Sequence, residues 1–587
     1  MSEPQENGID KITKQKTERI WVVQPPPPPE FFEQVAALGL SRLTAHLLYH
    51  RDLQTIEAID YFFKASYVSL ADPMLIKDMA QAVVRIKAAL QAGERMAVYG
   101  DFDADGVTGC TLLVQFLRSV GAEVIPHIPH RVEEGYGLNN VALQRLAEAD
   151  VKLVITVDCG VSNVAEIAFA RELGMDVIVT DHHLPPDPLP EAAAILNVRQ
   201  PGDHYPYKGC AGVGMAFHLV RTLSQNGVKP KNLTPRHLLD LVALGTVADL
   251  APLTGENRVL VASGLKALNR SKRPGLVALI EAAGQVQGEL DAFSLGFHLA
   301  PRINAAGRID DAKLAYNLLL TEDLDYARKL AGELNQKNKE RQVRLGAVLE
   351  EARSKVIAEK LDERGKIMVL SGEGWPAGVV GLVAGRLCEE FNRPVVVLEQ
   401  GEPWSKGSAR SIEAFNIMAA LNQCADLLER YGGHRAAAGL SLATSNLPEF
   451  ERRLQHLAET QLQQADLIPR LTIDAEIEAA EIPTAFAQSN LLAPFGSGNP
   501  APLFLTRGLV LRAARSVGTT GAHLRLRLLD PQQGRLVEAI AFREGLQATT
   551  LILGQRLDLV YTLEQKTWQG RKQLEIHLHD FRASKDP

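Results

Sequence analysis

Residues 98 to 109 read Val98-Tyr99-Gly100-Asp101-Phe102-Asp103-Ala104-Asp105-Gly106-Val107-Thr108-Gly109. The apolar run at 95–100 predicts a short strand before the carboxylates, and the apolar spacing at 111–120 predicts a helix after them. Three like charges at alternate positions in the predicted loop repel one another, so a partly buried cluster needs a cation. All-oxygen ligands favour a hard divalent ion such as Mg²⁺ or Mn²⁺.

Two other kinds of loop carry acidic residues in a similar pattern. An EF-hand calcium loop also uses alternate acidic residues, but it needs a bidentate glutamate at its twelfth position. Counted from Asp101, that position is Leu112, which excludes the EF-hand. A solvated acidic turn is the alternative that the loop alone leaves open.

Length and composition indicate a multidomain globular protein. The 587 residues correspond to roughly three to five domains. The net charge of −7 argues against a protein that coats nucleic acid, although local patches matter more than the total. The five cysteines lack metal-binding spacing and predict reduced thiols. No apolar run reaches membrane-spanning length, and the N-terminus lacks a signal-peptide core, so we expect a cytoplasmic protein without membrane contact.

Strands and helices alternate between about residues 72 and 203, which predicts an α/β domain with an open parallel sheet. The predicted strands are 95–100, 123–128, 152–158, 176–180 and 193–198, and the predicted helices are 80–91, 111–120, 141–149 and 163–173. Acidic motifs follow three of these strands, at Asp101, at Asp158 and at Asp181-His182-His183. Ligands bind beyond the carboxyl ends of such strands. We therefore predict a metal site at this edge, with Asp249 contributed by a later apolar helix.

The remainder of the chain predicts two further folded regions. A long charged helix at 321–361 leads to a second α/β region, with strands at 366–370 and 394–398 around a helix at 378–391. Short β-like runs at 503–517, 523–529, 535–542, 556–563 and 573–580 predict an OB-like barrel. From Arg507 onward the chain carries 13 Lys and Arg against 8 Asp and Glu, which suits a track for single strands. We predict the following domains: a tail and helical lead-in at 1–71, a catalytic domain at 72–320, a connecting helix at 321–361, a substrate-binding domain at 362–470 and the barrel at 471–587.

The order Asp-x-Asp-x-Asp-Gly, Val-Asp-Cys-Gly, Asp-His-His and Ala-Asp resembles the DHH phosphoesterase superfamily. From about residue 70 onward the chain resembles the single-stranded-DNA-specific exonucleases of that superfamily. This resemblance implies two divalent ions, Mn²⁺ or Mg²⁺, with one metal held by Asp101, Asp103 and Asp158. It implies a second metal held by Asp105, Asp158, His182 and Asp249, with Asp158 bridging; which of the first three carboxylates ligates which ion stays open.

Roles for further residues are implied by the same resemblance. The catalytic set comprises Asp103, Asp105, Asp158, His182 and His183. His182 would bind as a neutral imidazole, which suits Mn²⁺, and His183 would hydrogen-bond the scissile phosphate or protonate the leaving group. The substrate-binding residues that we predict are His183, Arg131, Tyr136, Arg302, Asn304, Arg308, Ser408, Arg410, Gly433 and His434. The glycine-rich turn at 209–214 is open to two interpretations, a phosphate cradle or close packing.

The function implied is that of a metal-dependent exonuclease that digests single-stranded DNA from 5′ to 3′, releases mononucleotides and serves recombination and repair. A single-stranded-DNA-binding protein and a repair helicase are the partners implied. Superfamily pyrophosphatases carry a histidine where this chain has Tyr99, which points away from pyrophosphate. An oligonucleotide phosphatase or nanoRNase is one alternative, although short substrates need no barrel. A DNA-binding scaffold with an inactive site is the other, although this chain retains its carboxylates. Because every proposed metal ligand precedes residue 250, removal of the barrel is expected to leave the catalytic cleft assembled.

Overall fold

The computed structural model describes residues 19–131, 134–309, 312–518, 520–568 and 571–585. The chain divides into two compact units. The larger unit comprises Gln24–Arg341 and Asp474–Pro587, and the smaller unit comprises Met1–Val23 and Gln342–Ile473. Within the described ranges, no helix combines the length and the apolar character needed to cross a membrane. The predicted N-terminal tail lies outside these ranges as far as residue 18.

A five-stranded parallel sheet forms the centre of the larger unit, which confirms the predicted α/β fold. From one edge to the other, its strands are Val124–His127, Arg95–Gly100, Val151–Val157, Asp176–Thr180 and Ala194–Leu196. The helices that accompany it are Met79–Ala92, Ala104–Ser119, Asn140–Glu148 and Val164–Glu172. The strands are almost continuously apolar because helices cover both faces of a parallel sheet.

The helix after the acidic motif differs from its prediction. It spans Ala104–Ser119 and therefore begins seven residues before the predicted start at residue 111. Asp103 caps it, since its Oδ1 accepts hydrogen bonds from the backbone N–H groups of Asp105 at 2.9 Å and Gly106 at 3.1 Å. The low helix propensity of Asp and Gly conceals this start. Asp105 consequently lies in the first helical turn instead of a loop.

A layer of helices completes the hydrophobic core around the sheet. These helices are Gly212–Gln225, Leu239–Ala248, Gly255–Leu268, Pro274–Ala282, Ala300–Ile309 and Lys313–Leu320, with a π-helix at Ser294–Leu299. The second of them is buried over nearly its whole length and ends at Asp249. The helix predicted before Asp249 is thereby confirmed.

The smaller unit contains a five-stranded sheet of mixed direction. Its strands, in order, are Leu428–His434, Ala437–Ala443, Trp404–Arg410, Val395–Gln400 and Met368–Glu373. Its helices are Leu361–Arg364, Ala377–Phe391, Ile417–Asn422 and Leu447–Gln461. The short strand Ile20–Val23 pairs in parallel with Arg470–Ile473. The predicted long helix is present as Leu324–Glu359 and carries the chain from one unit into the other.

The predicted OB-like barrel is present in the larger unit. Its five strands are Phe504–Val517, His523–Leu529, Leu536–Ala541, Arg571–Ala583 and Arg556–Trp568, and the last pairs with the first to close the barrel. The edge strand Ala475–Glu476 and the helix Ile482–Asn490 precede them. The N-terminal helices, Pro29–Ala36, Arg42–Tyr49 and Ile56–Lys64, share one hydrophobic core with the barrel. No periodicity in the sequence predicts this long-range packing.

Candidate metal centre

The acidic motifs converge at one edge of the parallel sheet because the carboxyl ends of parallel strands meet there. Two clusters of side chains form at this edge, and within each cluster the ligand atoms lie within 4.8 Å of one another. Asp101, Asp103 and Asp158 form the first cluster, and Asp105, His182 and Asp249 form the second. Asp158 Oδ1 also lies 3.0 Å from His182 Nε2. Both clusters consist of predicted ligands, and the division of these residues between two ions stays a prediction.

Three ligand atoms in these clusters are buried without a hydrogen-bond partner among the described residues. They are Asp101 Oδ1, Asp158 Oδ1 and His182 Nε2, the last two of which lie 3.0 Å apart without the geometry of a hydrogen bond. Buried polar atoms are nearly always paired, because leaving one unpaired costs about 1–3 kcal/mol. Several orphaned oxygen and imidazole atoms that face one another are the donor set that a divalent transition metal accepts. The residues present therefore fit a bound cation.

Burial and mutual repulsion destabilise the ionised carboxylates in the absence of a cation. Burial, followed by the charge of Asp103, raises the pKa of Asp101 and raises that of Asp105 to about 7. Burial and the neighbouring carboxylates likewise raise the pKa of Asp158, and they raise that of Asp249 to about 8. These directions are expected when like charges share one buried site, and divalent cations reverse them.

His182 has the opposite electrostatic environment. Burial, and then the adjacent His183, lowers the pKa of His182 to about 4, so its imidazole is neutral. The backbone of Cys210 acts on this pKa in the opposite direction. A neutral imidazole is the form in which histidine binds a metal.

The glycine-rich turn at 209–214 holds the carboxylate of Asp105. The backbone N–H of Gly212 donates to Asp105 Oδ2 at 2.6 Å, and that of Val213 donates to Asp105 Oδ1 at 2.9 Å. A Cβ atom added to Gly212 would lie 2.6 Å from Asp158 Cβ. Of the two interpretations of this turn, the structure therefore shows close packing, against two candidate ligands at once.

The backbone of Asp158 adopts a left-handed conformation with φ 64°. Only a few per cent of residues other than glycine do so, and such conformations concentrate at functional sites. The Tyr136 hydroxyl donates to the carbonyl oxygen of Asp158 at 3.2 Å. The structure thus brings the predicted Tyr136 into contact with the candidate ligand Asp158.

Asp181 orients His183 and is a site residue that the prediction omits. Its Oδ1 lies 2.8 Å from His183 Nδ1 and accepts from the backbone N–H groups of His182 and His183. Its Oδ2 accepts from the backbone N–H of Val161. Although burial acts in the opposite direction on both groups, their mutual hydrogen bond lowers the pKa of Asp181 and raises that of His183. The contiguous Asp-His-His motif was the available signal for this role.

Four other predicted substrate residues belong to this unit. Arg131 lies over the ring of Phe102, with its guanidinium carbon 4.9 Å from the ring centroid, and its charge interacts with Asp101. Asn304 Oδ1 accepts from the backbone N–H of Ala104 at 2.7 Å and so contacts the acidic motif. Arg302, on the same helix, donates to the carbonyl oxygen of His298. The Arg308 side chain lies outside what the structure describes, and its backbone belongs to the last turn of that helix, which ends at Ile309.

The remaining predicted residues cluster within the smaller unit. Ser408 and Arg410 lie on Trp404–Arg410, whereas Gly433 and His434 lie on Leu428–His434. Both strands pair with the strand between them. A Cβ atom added to Gly433, whose φ is 149°, would lie 2.3 Å from the carbonyl oxygen of Ala437. The four residues thus occupy one region of a single sheet, and their role with substrate stays a prediction.

A segment that the prediction overlooks supports the turn after Asp249. It reads Pro494-Phe495-Gly496-Ser497-Gly498-Asn499-Pro500 and precedes the barrel strands. The Leu253 N–H donates to the Ser497 carbonyl oxygen at 2.6 Å, and a Cβ atom added to Gly498 would lie 2.8 Å from Pro252 Cβ. Two prolines, two glycines and an asparagine within seven residues signal a defined turn.

Comparisons with known proteins agree with this architecture. The DHH family, N-terminal domain, matches residues 95–246, the DHHA1 domain matches 353–460, and the RecJ OB domain matches 473–580. The single-stranded-DNA-specific exonuclease RecJ of Bacillus subtilis is 37% identical over 567 residues, which cover 96% of this chain and 71% of that protein. The chain belongs to the RecJ family.

Solved RecJ structures from Thermus thermophilus share the fold. The structure in complex with Mn²⁺ has a TM-score of 0.82 and 34% identity, over 96% of this chain and 80% of that one. The structure in complex with Mg²⁺ has a TM-score of 0.77 and 32% identity, over 96% and 79% of the two chains. These matches confirm the fold of a DHH domain, a DHHA1 domain and an OB barrel. They also confirm the family resemblance that the four short motifs indicate.

Proposed function

We propose that this protein is a metal-dependent exonuclease that hydrolyses single-stranded DNA. The observation that carries the proposal is the pair of ligand clusters around Asp158, with orphaned buried atoms, in a chain of the RecJ family. The relatives named above are single-stranded-DNA-specific exonucleases, and two RecJ structures contain Mn²⁺ or Mg²⁺. A solvated acidic turn does not account for buried carboxylates grouped in this way.

Two divalent ions are the proposed cofactors. Asp101, Asp103 and Asp158 would hold one ion, and Asp105, His182 and Asp249 would hold the other, with Asp158 shared. Ions bound in such pairs activate a water molecule, neutralise phosphodiester charge and stabilise the leaving oxygen. The neutral imidazole of His182 favours Mn²⁺ over Mg²⁺.

Residues around the clusters would position the strand. Because Asp181 engages Nδ1 of His183, the Nε2 atom is the one that would hydrogen-bond the scissile phosphate or give a proton to the leaving oxygen. Arg131 and Arg302 would contact backbone phosphates, and we assign the same role to Arg308. The cluster of Ser408, Arg410, Gly433 and His434 would do the same from the smaller unit.

Digestion would run from 5′ to 3′ and release mononucleotides. The proposed cellular roles are recombination and repair. The protein would act in the cytoplasm beside a single-stranded-DNA-binding protein and a repair helicase. Affinity measurements with such purified partners test that part separately from catalysis.

End-labelled single strands of DNA and of RNA, blocked at either end, test activity and polarity together in Mn²⁺ or Mg²⁺. We expect mononucleotides from DNA with a free 5′ end and none when that end is blocked. Digestion from the 3′ end would reverse the proposed polarity. Hydrolysis restricted to short oligonucleotides would favour the nanoRNase alternative, and binding without hydrolysis would favour an inactive scaffold. The Asp158→Asn variant is the control for a contaminating nuclease.

A further inference from the structure

Two stacked phenylalanine rings lie exposed on the larger unit. The ring centroids of Phe293 and Phe297 are 4.4 Å apart, and the ring planes meet at 21°. The two side chains are 56% and 66% exposed. Contiguous exposed apolar surface marks a site of interaction, whereas single exposed residues do not. Two large rings that cover each other and still face solvent therefore indicate a binding surface.

The segment that carries this pair, and the helix that follows it, contact two helices that lie beside candidate ligands. Phe297 lies in the π-helix Ser294–Leu299. π-Helices are rare in proteins, and those that occur are often found at functional sites. A Cβ atom added to Gly296 would lie 3.4 Å from Val247 Cγ1, in the last turn of the helix that ends at Asp249. Asn304, on the helix that follows, accepts from the backbone N–H of Ala104. The phenylalanine pair thus has a fixed position beside the elements that carry the ligands.

The surroundings of the pair suit a nucleic-acid strand. Arg302 lies five residues after Phe297, and its guanidinium binds the His298 carbonyl oxygen and Asn335 Oδ1. Leu250, directly after the candidate ligand Asp249, is 73% exposed with a left-handed φ of 58°. Seven helical residues separate Phe297 from Asn304, which is about 10 Å along a helix axis. That length corresponds to about three stacked nucleotides.

We propose that Phe297, supported by Phe293, is a stacking platform for unpaired bases a few nucleotides from the scissile phosphate. The proposal rests on the proposed single-strand exonuclease function. An aromatic ring can stack on any base, so binding of this kind does not depend on the nucleotide sequence, as a general exonuclease requires. In a duplex, neighbouring base pairs cover both faces of each base. The platform therefore favours single strands over duplexes, which makes Phe297 a residue for strand selectivity.

Fluorescence of 2-aminopurine tests stacking directly. The probe is placed at successive positions of an oligothymidylate and bound, in Mg²⁺, to the full chain carrying Asp158→Asn so that the strand stays intact. We expect quenching at one or two adjacent positions near the 5′ end. Adding Phe297→Ala should abolish it, whereas Phe297→Tyr, which keeps a ring, and Tyr326→Ala, which removes an exposed ring elsewhere, should retain it.

Kinetics separate this platform from the metal chemistry. In the otherwise unaltered protein, Phe297→Ala should raise KM for a long strand about 5- to 150-fold, the range for loss of one base stack. Hydrolysis of a dinucleotide, which is too short to reach the platform, should keep its rate. On a long strand that is abasic at the quenched position, wild type and Phe297→Ala should have equal KM.

Each contrary outcome has one meaning. If Phe297→Ala changes neither the quenching nor the long-strand KM, bases do not stack on Phe297 and the proposal is wrong. The exposed pair would then bind another partner, such as a protein. An equal loss on intact and abasic strands would also overturn it, by showing a merely structural role. If wild type hydrolyses neither the dinucleotide nor the long strand, the proposed function fails, while the quenching experiment still decides whether bases stack on Phe297.

Discussion

Asp103 Oδ1 lies 2.9 Å from the backbone nitrogen of Asp105, so the second carboxylate of the acidic motif caps the helix that carries the third. The positive end of a helix dipole stabilises a nearby carboxylate. One side chain therefore both starts the helix and belongs to the first ligand cluster. Helix initiation and the geometry of the metal centre depend on the same side chain.

Two substitutions of Asp103 separate these roles. Asparagine caps helices about as well as aspartate, but it carries no charge, whereas alanine neither caps nor ligates. We expect both variants to lose metal-dependent hydrolysis. In EDTA, the free energy of unfolding of Asp103→Ala should be about 0.5–2 kcal/mol below that of Asp103→Asn. Urea denaturation measures this difference, and equal values would contradict the capping role.

Asp158 tests the bridge between the two clusters. Asparagine tolerates its left-handed backbone, so Asp158→Asn removes charge with little strain. Because the loss of one carboxylate relieves repulsion, we expect an unchanged or higher Tm in EDTA. Wild type should gain about 2.7 kcal/mol at a hundredfold excess of Mn²⁺ over Kd for each site, and the variant should lose most of this gain together with turnover. Near-wild-type hydrolysis at saturating Mn²⁺ would contradict a shared ligand.

The sequence predicts the sheet and its ligand edge closely because both leave local patterns. Buried parallel strands appear as apolar runs, and the acidic motifs follow them directly. The early start of the helix at Ala104 escapes prediction because a side-chain cap outweighs the poor propensity of glycine and aspartate. The Asp-His-His motif marks Asp181 in the sequence, but the contact of its carboxylate with His183 appears only in three dimensions. The packing of the N-terminal helices on the barrel leaves no period or spacing in the sequence.

Phosphate contacts should appear in the salt dependence of DNA binding. Arg302→Ala and Arg410→Ala should each weaken binding to all sequences and lower the slope of log K against log salt by about 0.7. Arg452→Ala is the matched control, since Arg452 is an exposed residue paired with Glu449. Fluorescence anisotropy at several salt concentrations measures the slopes. Slopes equal to that of wild type would assign both arginines to structure alone.

His577 should make the barrel more stable in mild acid. Its ring nitrogens lie 2.7 Å from Glu575 Oε2 and 3.1 Å from Glu564 Oε1, and Lys566 and Arg525 lie beside Glu575. Burial acts in the opposite direction, but the two carboxylates raise the pKa of His577. The stabilisation is therefore complete below the unfolded pKa of about 6.5 and is lost as pH rises through the folded value.

The measurement for this residue compares wild type with His577→Gln. The loss of Tm caused by the substitution should be larger at pH 5.5 than at pH 8.5. A loss that is constant with pH would show that His577 stabilises the barrel through packing and not through charge. Hydrolysis of a dinucleotide should be unaffected, because no candidate metal ligand lies near the ring.

The turn before the barrel strands contacts the segment after Asp249, and Asn499 holds this turn in place. This side chain is 2% exposed, donates to the carbonyl oxygens of Leu492 and Pro494 and accepts from Arg51 Nε. It thereby fixes the turn whose Ser497 carbonyl binds the Leu253 N–H, four residues after Asp249. Removal of the barrel domain would therefore also remove a contact with the turn after Asp249, so we no longer expect the cleft to stay unchanged. Deletion would also expose the core shared with the N-terminal helices, so a point substitution is the sharper test.

Asn499→Ala removes the donor to the Pro494 carbonyl oxygen and the acceptor of Arg51 Nε, whereas the Leu492 carbonyl oxygen keeps Arg258 Nη1 as a donor. The free energy of unfolding should fall by about 1–3 kcal/mol. Because the turn behind Asp249 loosens, half-maximal activity should require more Mn²⁺, and kcat should fall while KM for a long strand stays nearly constant. The matched control is Asp530→Ala, which removes a buried turn residue that accepts from the Gln532 N–H within the barrel. It should cost similar stability without altering the Mn²⁺ requirement. Titration of Mn²⁺ against initial rate, at a temperature where both variants are folded, separates the two. Equal Mn²⁺ requirements in the two variants would show that the barrel does not support the metal centre, whereas a rise confined to Asn499→Ala would place the Pro494–Pro500 turn among the determinants of metal affinity.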